Sequence, residues 1–138
     1  MSEENVEIAR RLLEVFQEAF KRGDPAAVFD SPLLAADAEW FPLPGVGLSP
    51  VYRGREGFRE FMSTWMESFE SWSLRLDRVI DGGDLVAVAF HQEAIGAESG
   101  AHIEWDQGFV YEIKNGRVIR MRNYLTLADA LEAAGLSE

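Results

Sequence analysis

The chain contains no cysteine, which removes disulfides, thiolate nucleophiles and cysteine-ligated metals at once. Basic residues are scarce as well: 13 Lys and Arg stand against 24 Asp and Glu, for a formal charge of −11. Nucleic-acid phosphates are held mainly by clustered cations, so no nucleic-acid partner is expected. The excess acid reads most simply as a solubility device. No apolar run approaches the ~18 residues that a membrane span requires. Met1-Ser2-Glu3-Glu4 leads straight into an amphipathic pattern, without the basic and then apolar regions of a secretory signal. A cytoplasmic location without a membrane partner is the expectation. Histidine is nearly absent, with only His91 and His102, so a three-ligand metal site is not expected. Gly45-Val46-Gly47 and Gly54-Arg55-Glu56-Gly57 lack the lysine and the strand-to-helix setting of a phosphate loop. No cofactor is implied.

What the chain does carry is periodicity. A length of 138 residues reads as one domain spanning 1–138, able to bury roughly two-thirds of its unfolded surface without covalent staples. Val6, Leu13, Phe16 and Phe20 form one stripe, with Ile8, Leu12 and Val15 beside it. So wide an apolar face belongs to a helix packed on a sheet. Gly23 ends it, and Asp24-Pro25 predicts a short second helix to about Phe29, with proline at its preferred first position. Ala38 to Phe41 reads as a short strand, and the stiff Pro42–Pro50 loop after it suits a pocket rim. Phe58, Phe61, Met62, Trp65, Met66 and Phe69 keep the spacing of a buried stripe on a third helix, from about Glu56 to Phe69. Trp65 at its centre is expected in the core.

Strands make up the remainder. Trp72, Leu74 and Leu76 alternate with Ser73, Arg75 and Asp77. Leu85 to Ala94 is apolar on both faces, the mark of a strand covered on both sides. Its bulkier set, Val86, Val88, Phe90 and Gln92, is read as inward, which sends Ala87, Ala89, His91 and Glu93 outward. The next strand turns Trp105, Gln107, Phe109, Tyr111 and Ile113 in, and Glu104, Asp106, Gly108, Val110 and Glu112 out. Asn115-Gly116 supplies the two positive-φ positions of a tight hairpin. Its return strand places Ile119, Met121, Asn123 and Leu125 inside, with Val118, Arg120, Arg122 and Tyr124 outside. Thr126 to Asp129 then caps a short apolar helix that stops at Gly135. Helices gathered ahead of an antiparallel meander predict an α+β domain with its helices on one sheet face.

Several segments carry a resemblance in their joint order. They are the opening Ser2-Glu3-Glu4-Asn5-Val6-Glu7-Ile8, Arg22-Gly23-Asp24, Glu39-Trp40 and Tyr52-Arg53-Gly54-Arg55-Glu56-Gly57. Asn115-Gly116-Arg117-Val118 and Ala130-Leu131-Glu132-Ala133-Ala134-Gly135-Leu136 complete the set. In this order the chain resembles the SnoaL-like branch of the nuclear-transport-factor-like superfamily. The resemblance implies a cone-shaped α+β barrel, a curved antiparallel sheet wrapped around N-terminal helices. That superfamily includes polyketide cyclases, ketosteroid isomerase, scytalone dehydratase, limonene epoxide hydrolase and proteins that only bind, so the fold does not decide the chemistry.

Resemblance to the cyclases implies a His seven residues before the hairpin glycine and an acid–base Asp seven residues after it. Counted from Gly116, those positions hold Phe109 and Asn123, neither of which exchanges a proton near neutral pH. What remains is a mostly apolar pocket with a few polar contacts, lined by Trp40, Trp65, Gln92, Gln107, Phe109, Tyr111 and Asn123. The expected function is binding of a small apolar molecule. Isomerase, cyclase, dehydratase or epoxide hydrolase chemistry on a hydrophobic or polycyclic compound is the class to test. The alternative is a non-enzymatic binding or dimeric interaction domain whose pocket is filled. A homodimer through the outer sheet face is expected, with Arg120, Arg122 and Tyr124 opposite Glu104, Asp106 and Glu112, and small Ala87 and Ala89 between. The resemblance implies the same pairing.

Overall fold

The structure, a computed structural model, describes residues 2–24, 31–43 and 50–137. The short helix expected from Asp24 to Phe29 and most of the Pro42–Pro50 loop lie outside the described residues.

Helix α1 (Ser2–Arg22) carries Glu3 and Glu4 in its first turn and Lys21 and Arg22 in its last, the charge order that suits the helix dipole. Ala9, Leu12, Leu13, Phe16 and Ala19 are buried, with Val6, Ile8, Val15 and Phe20 packed around them. Strands β1 (Leu34–Phe41), β2 (Tyr52–Arg53), β3 (Phe69–Gly82), β4 (Leu85–Gly96), β5 (His102–Lys114) and β6 (Arg117–Tyr124) follow, with helix α2 (Gly54–Ser68) between β2 and β3. Their order in the sheet is β2-β1-β6-β5-β4-β3. β3 to β6 form the expected antiparallel meander, but β1 joins β6 in parallel. The sheet is therefore mixed rather than antiparallel throughout, and its edge strands β2 and β3 do not close on each other. No hairpin links β1 to β6, so nothing forces them to run in opposite senses.

Gln17 fastens α1 to the edge strand. Its Nε2 donates to the Trp72 carbonyl at 2.8 Å, and its Oε1 accepts from the Leu74 amide at 2.6 Å. On α2, Phe58, Phe61 and Met62 are buried. Trp65 is only partly buried, which corrects its expected place at the centre of the core: it stands on a wall.

Asn115 (φ 53°) and Gly116 (φ 76°) take the left-handed positions that a two-residue hairpin needs. β6 then slips by one residue, so that Ile113 faces Val118 and Glu112 faces Arg120. The extra residue, Ile119, turns Val118 inward to full burial, although strict alternation had placed Val118 outside. A bulge reverses the face of everything on one side of it.

Helix α3 (Leu127–Ala134) is capped by Thr126, whose side chain accepts from the Asp129 amide at 3.1 Å, and ends at Gly135 with φ 70°. It does not join the other helices. Ala130 and Leu131 cover Ala87 and Val110 on the outer face of β4 and β5, so the helices occupy both faces. Ala87 is thus withdrawn from the flat surface expected at a dimer contact. Gly108 makes the approach possible, because a Cβ there would lie 2.6 Å from the Thr126 carbonyl oxygen. Gly108→Ala should force α3 off the sheet and lower stability by about 1–3 kcal/mol, measured by urea unfolding. An unchanged midpoint would mean that α3 is not seated on β5 in solution.

Candidate functional site

Between the inner sheet face, α1 and α2 lies a cavity of about 490 Å³. Phe16, Phe61, Trp65, Trp72, Phe90 and Phe109 are among its aromatic lining, and none of the described residues on its wall carries a formal charge. Ile103, 41% exposed, also lines it and marks where the cavity meets solvent. Of the residues expected at a pocket, Trp40, Trp65, Gln92, Gln107, Phe109 and Asn123 are all on the wall. Tyr111 is not among them. It is fully buried with its ring edge-on to Phe109 at 5.9 Å. Its hydroxyl has no hydrogen-bond partner among the described residues, and burial holds its pKa far above the ordinary phenol value. From the expected rim, Leu43 reaches the wall, and residues 44–49 lie outside the description.

The polar groups of the wall are joined through tryptophan. Trp72 Nε1 donates to Gln92 Oε1 at 2.8 Å, and Gln92 Nε2 donates to Gln107 Oε1 at 2.6 Å. Trp105 Nε1 reaches the same Gln107 oxygen at 3.2 Å. On the other side, Trp40 Nε1 donates to Asn123 Oδ1 at 3.0 Å. Gln92 and Gln107, 2% and 6% exposed, therefore satisfy the rule that buried amides are bonded. Alternation identified the inward amides but not their partners. The available signal was that Trp72 and Trp105 share the inward face of strands flanking β4, where Gln92 sits directly opposite Trp105. Trp65 differs from the other three indoles: its Nε1 is buried without a partner among the described residues. It packs edge-to-face on Trp72 and Trp105, at centroid distances of 5.8 and 6.2 Å.

Among the described residues, none that lines this wall is an acid or a base. Phe109 and Asn123, the positions that the resemblance assigns to a His and an Asp, sit directly opposite each other in the β5–β6 register. The geometry for a pair is there, and the proton-exchanging groups are not. His91 and Glu93 lie on the outer face, as their parity predicts. His91 Nδ1 meets Asp106 Oδ1 at 2.8 Å and Nε2 meets Glu104 Oε1 at 3.0 Å, with Glu93 at 3.6 Å. His91, Glu93 and Glu104 bring possible metal-ligand atoms within 4.8 Å of one another, but both ring nitrogens already face carboxylates. Further along this face, Glu39 lies between Arg53 and Arg120, each at 3.0 Å, and these bonds hold its carboxyl below the usual range. Arg120 also bonds Glu112 at 3.0 Å.

The bonds to Asp106 and then Glu104 raise the His91 pKa above the ordinary imidazole value. Its contribution to stability is therefore whole below the unfolded pKa near ~6.5 and fades as pH rises through the higher folded value. Glu104, lowered chiefly by His91, behaves oppositely: its contribution exists above the unfolded carboxylate pKa and is lost as pH falls through the depressed value. Urea midpoints should fall as pH rises above about 6.5, and His91→Gln should flatten that slope. Equal slopes in both proteins would mean that the cluster does not form in solution.

The family model described as SnoaL-like domain matches residues 12–121. No curated protein matches the chain. Among solved structures, an NTF2-like protein from Anabaena variabilis superposes with a TM-score of 0.76 at 21% identity, covering 90% of each chain. Bal32a, from a soil-derived mobile gene cassette, gives 0.70 at 26% identity over 89% of each chain. TerC, co-crystallized with polyporic acid, gives 0.70 at 19% identity over 91% of this chain and 96% of its own. At these identities the likeness is one of fold.

Proposed function

The chain belongs to the SnoaL-like domain family, and from that premise we propose that its cavity holds a small, uncharged and mostly apolar molecule. One observation carries the reading: a space of about 490 Å³ with aromatic and aliphatic walls and no charged residue among the described ones that line it. Cavities of roughly 300–1,000 Å³ lined in this way are typical of small-molecule sites. An ionised ligand would enter without a counter-charge, at a large desolvation cost. TerC, which has a similar fold, was co-crystallized with polyporic acid, and this supports a small-molecule role for the fold here. Asn123 in place of an acid and Phe109 in place of a base leave the wall able to position and polarise but not to exchange protons. Binding is therefore the primary activity. Any isomerase, cyclase, dehydratase or epoxide hydrolase chemistry would have to proceed by orientation and amide dipoles alone. The reading as an interaction domain with a filled pocket is disfavoured by the open volume.

The same reading includes a homodimer formed through the part of the outer sheet face that α3 leaves uncovered. Light scattering at micromolar concentration should return twice the 15.5 kDa chain mass, and a monomer would overturn the pairing. For the cavity, the neutral dye Nile red should bind with a blue-shifted, enhanced emission. Ile103→Trp should weaken that binding by about fivefold, a loss near 1 kcal/mol, because it narrows the opening at an exposed position without repacking the core. Emission equal to that of the dye in buffer would overturn the binding reading.

A further inference from the structure

The indole N–H is a donor with no acceptor capacity, and three indoles use this to orient Gln92, Gln107 and Asn123, the amide side chains on the cavity wall among the described residues. Trp72 takes Gln92 Oε1, so Gln92 must present Nε2 to its neighbour. That nitrogen meets Gln107 through Oε1, and Trp105 demands the same oxygen. Two donors fill both lone pairs of the Gln107 carbonyl. Its Nε2 is left with no partner among the described residues, on a side chain that lines the cavity. Gln107 cannot turn over to suit a different ligand, because the flip would set its NH₂ against two N–H donors. Asn123 is oriented in the same sense: Trp40 occupies Oδ1, and Nδ2 has no partner among the described residues.

We propose that the cavity selects its ligand by hydrogen-bond direction, taking a neutral carbonyl or quinone oxygen against Gln107 in preference to a hydroxyl on the same framework. The proposal rests on the reading of the cavity as a small-molecule site and narrows its ligand class. A carbonyl oxygen accepts from Gln107 Nε2 and leaves nothing unpaired. A hydroxyl oxygen accepts as well, but its own proton is then turned toward aromatic and aliphatic walls, and a buried donor without an acceptor is costly. A carboxylate would accept too, yet it would bring an uncompensated charge into an apolar space. The site thus separates the oxidised from the reduced form of one skeleton. Trp72 and Trp105 are the positioning residues, since they act on the ligand only through the amides.

Displacement of Nile red from the full chain by fluorenone, fluorenol and fluorene tests this, since the three tricycles share one shape. Fluorenone is expected to bind at least about fivefold more tightly than fluorenol, with fluorene no tighter than fluorenone. Equal affinities, or tighter fluorenol, overturn the directional claim while leaving small-molecule binding intact. If the dye binds but none of the three displaces it, the proposal also falls; if the dye itself does not bind, the reading beneath it fails. The double variant Trp72→Phe with Trp105→Phe frees both glutamines to turn. It should bring the fluorenone-to-fluorenol ratio close to unity, whatever the common change in affinity that the altered wall imposes on all three tricycles. An unchanged ratio in a variant with native near-ultraviolet circular dichroism overturns the orienting role. Where the variant does not fold, the wild-type series decides alone.

Discussion

An amide inside an apolar shell is tolerated only when its hydrogen bonds are completed, and the interior of this domain is arranged around that requirement. Gln92 and Gln107 project from neighbouring strands β4 and β5 into the concave side of the sheet. Each needs partners that a core of phenylalanine, leucine and valine cannot provide. Tryptophan provides them, because it buries a large ring and still offers one donor. Trp72 arrives from β3, Trp105 from β5 and Trp40 from β1, so the polar contacts run along β5 and between strands adjacent in the sheet, β3 to β4 to β5 on one side and β1 to β6 on the other. Around them, Trp40 packs on Phe16, Phe58 and Phe61, linking the sheet to both helices on its inner side.

The opposite side of the sheet is built on a different principle. Its centre is small and apolar, with Ala87 and Val110 sealed by α3. Its flanks are ionic: Arg120 bridges Glu39 and Glu112, and His91 lies between Glu104 and Asp106. These carboxylates and cations therefore satisfy one another within the chain. Exposed pairs of this kind add little stability individually, although opposite charges set across neighbouring strands favour the observed register.

Much of this was legible in the sequence wherever alternation ran without interruption. The inward set Gln107, Phe109, Tyr111 and Ile113 and the inward set Val86, Val88, Phe90 and Gln92 follow from period two alone. Where the period slips it misleads, as at Ile119, because a bulge has no fixed residue signature. The parallel docking of β1 on β6 joins segments some eighty residues apart, and no local pattern encodes that. Helical spacing on α2 placed Trp65 on the apolar face correctly, yet it could not distinguish a face meeting core from a face meeting space. Tyr111 shows the reverse error: its inward direction is right, but depth along the strand decides whether such a side chain reaches the cavity. Alternation names the side of a sheet, and contact order in three dimensions names the neighbour.

The hold of Gln17 on β3 has a consequence for how the molecule behaves in a crowded solution. β3 ends the sheet, and an open edge offers bare N–H and C=O groups to any other strand, which is how sheets extend from one molecule into the next. Gln17 takes the Trp72 carbonyl and the Leu74 amide, the outward-pointing groups of residues i and i+2 that an added strand would claim. Its primary amide imitates the peptide unit of a missing neighbour. The edge is thereby closed over part of its length by one side chain of α1, and growth of the sheet from one copy into the next must first displace the helix.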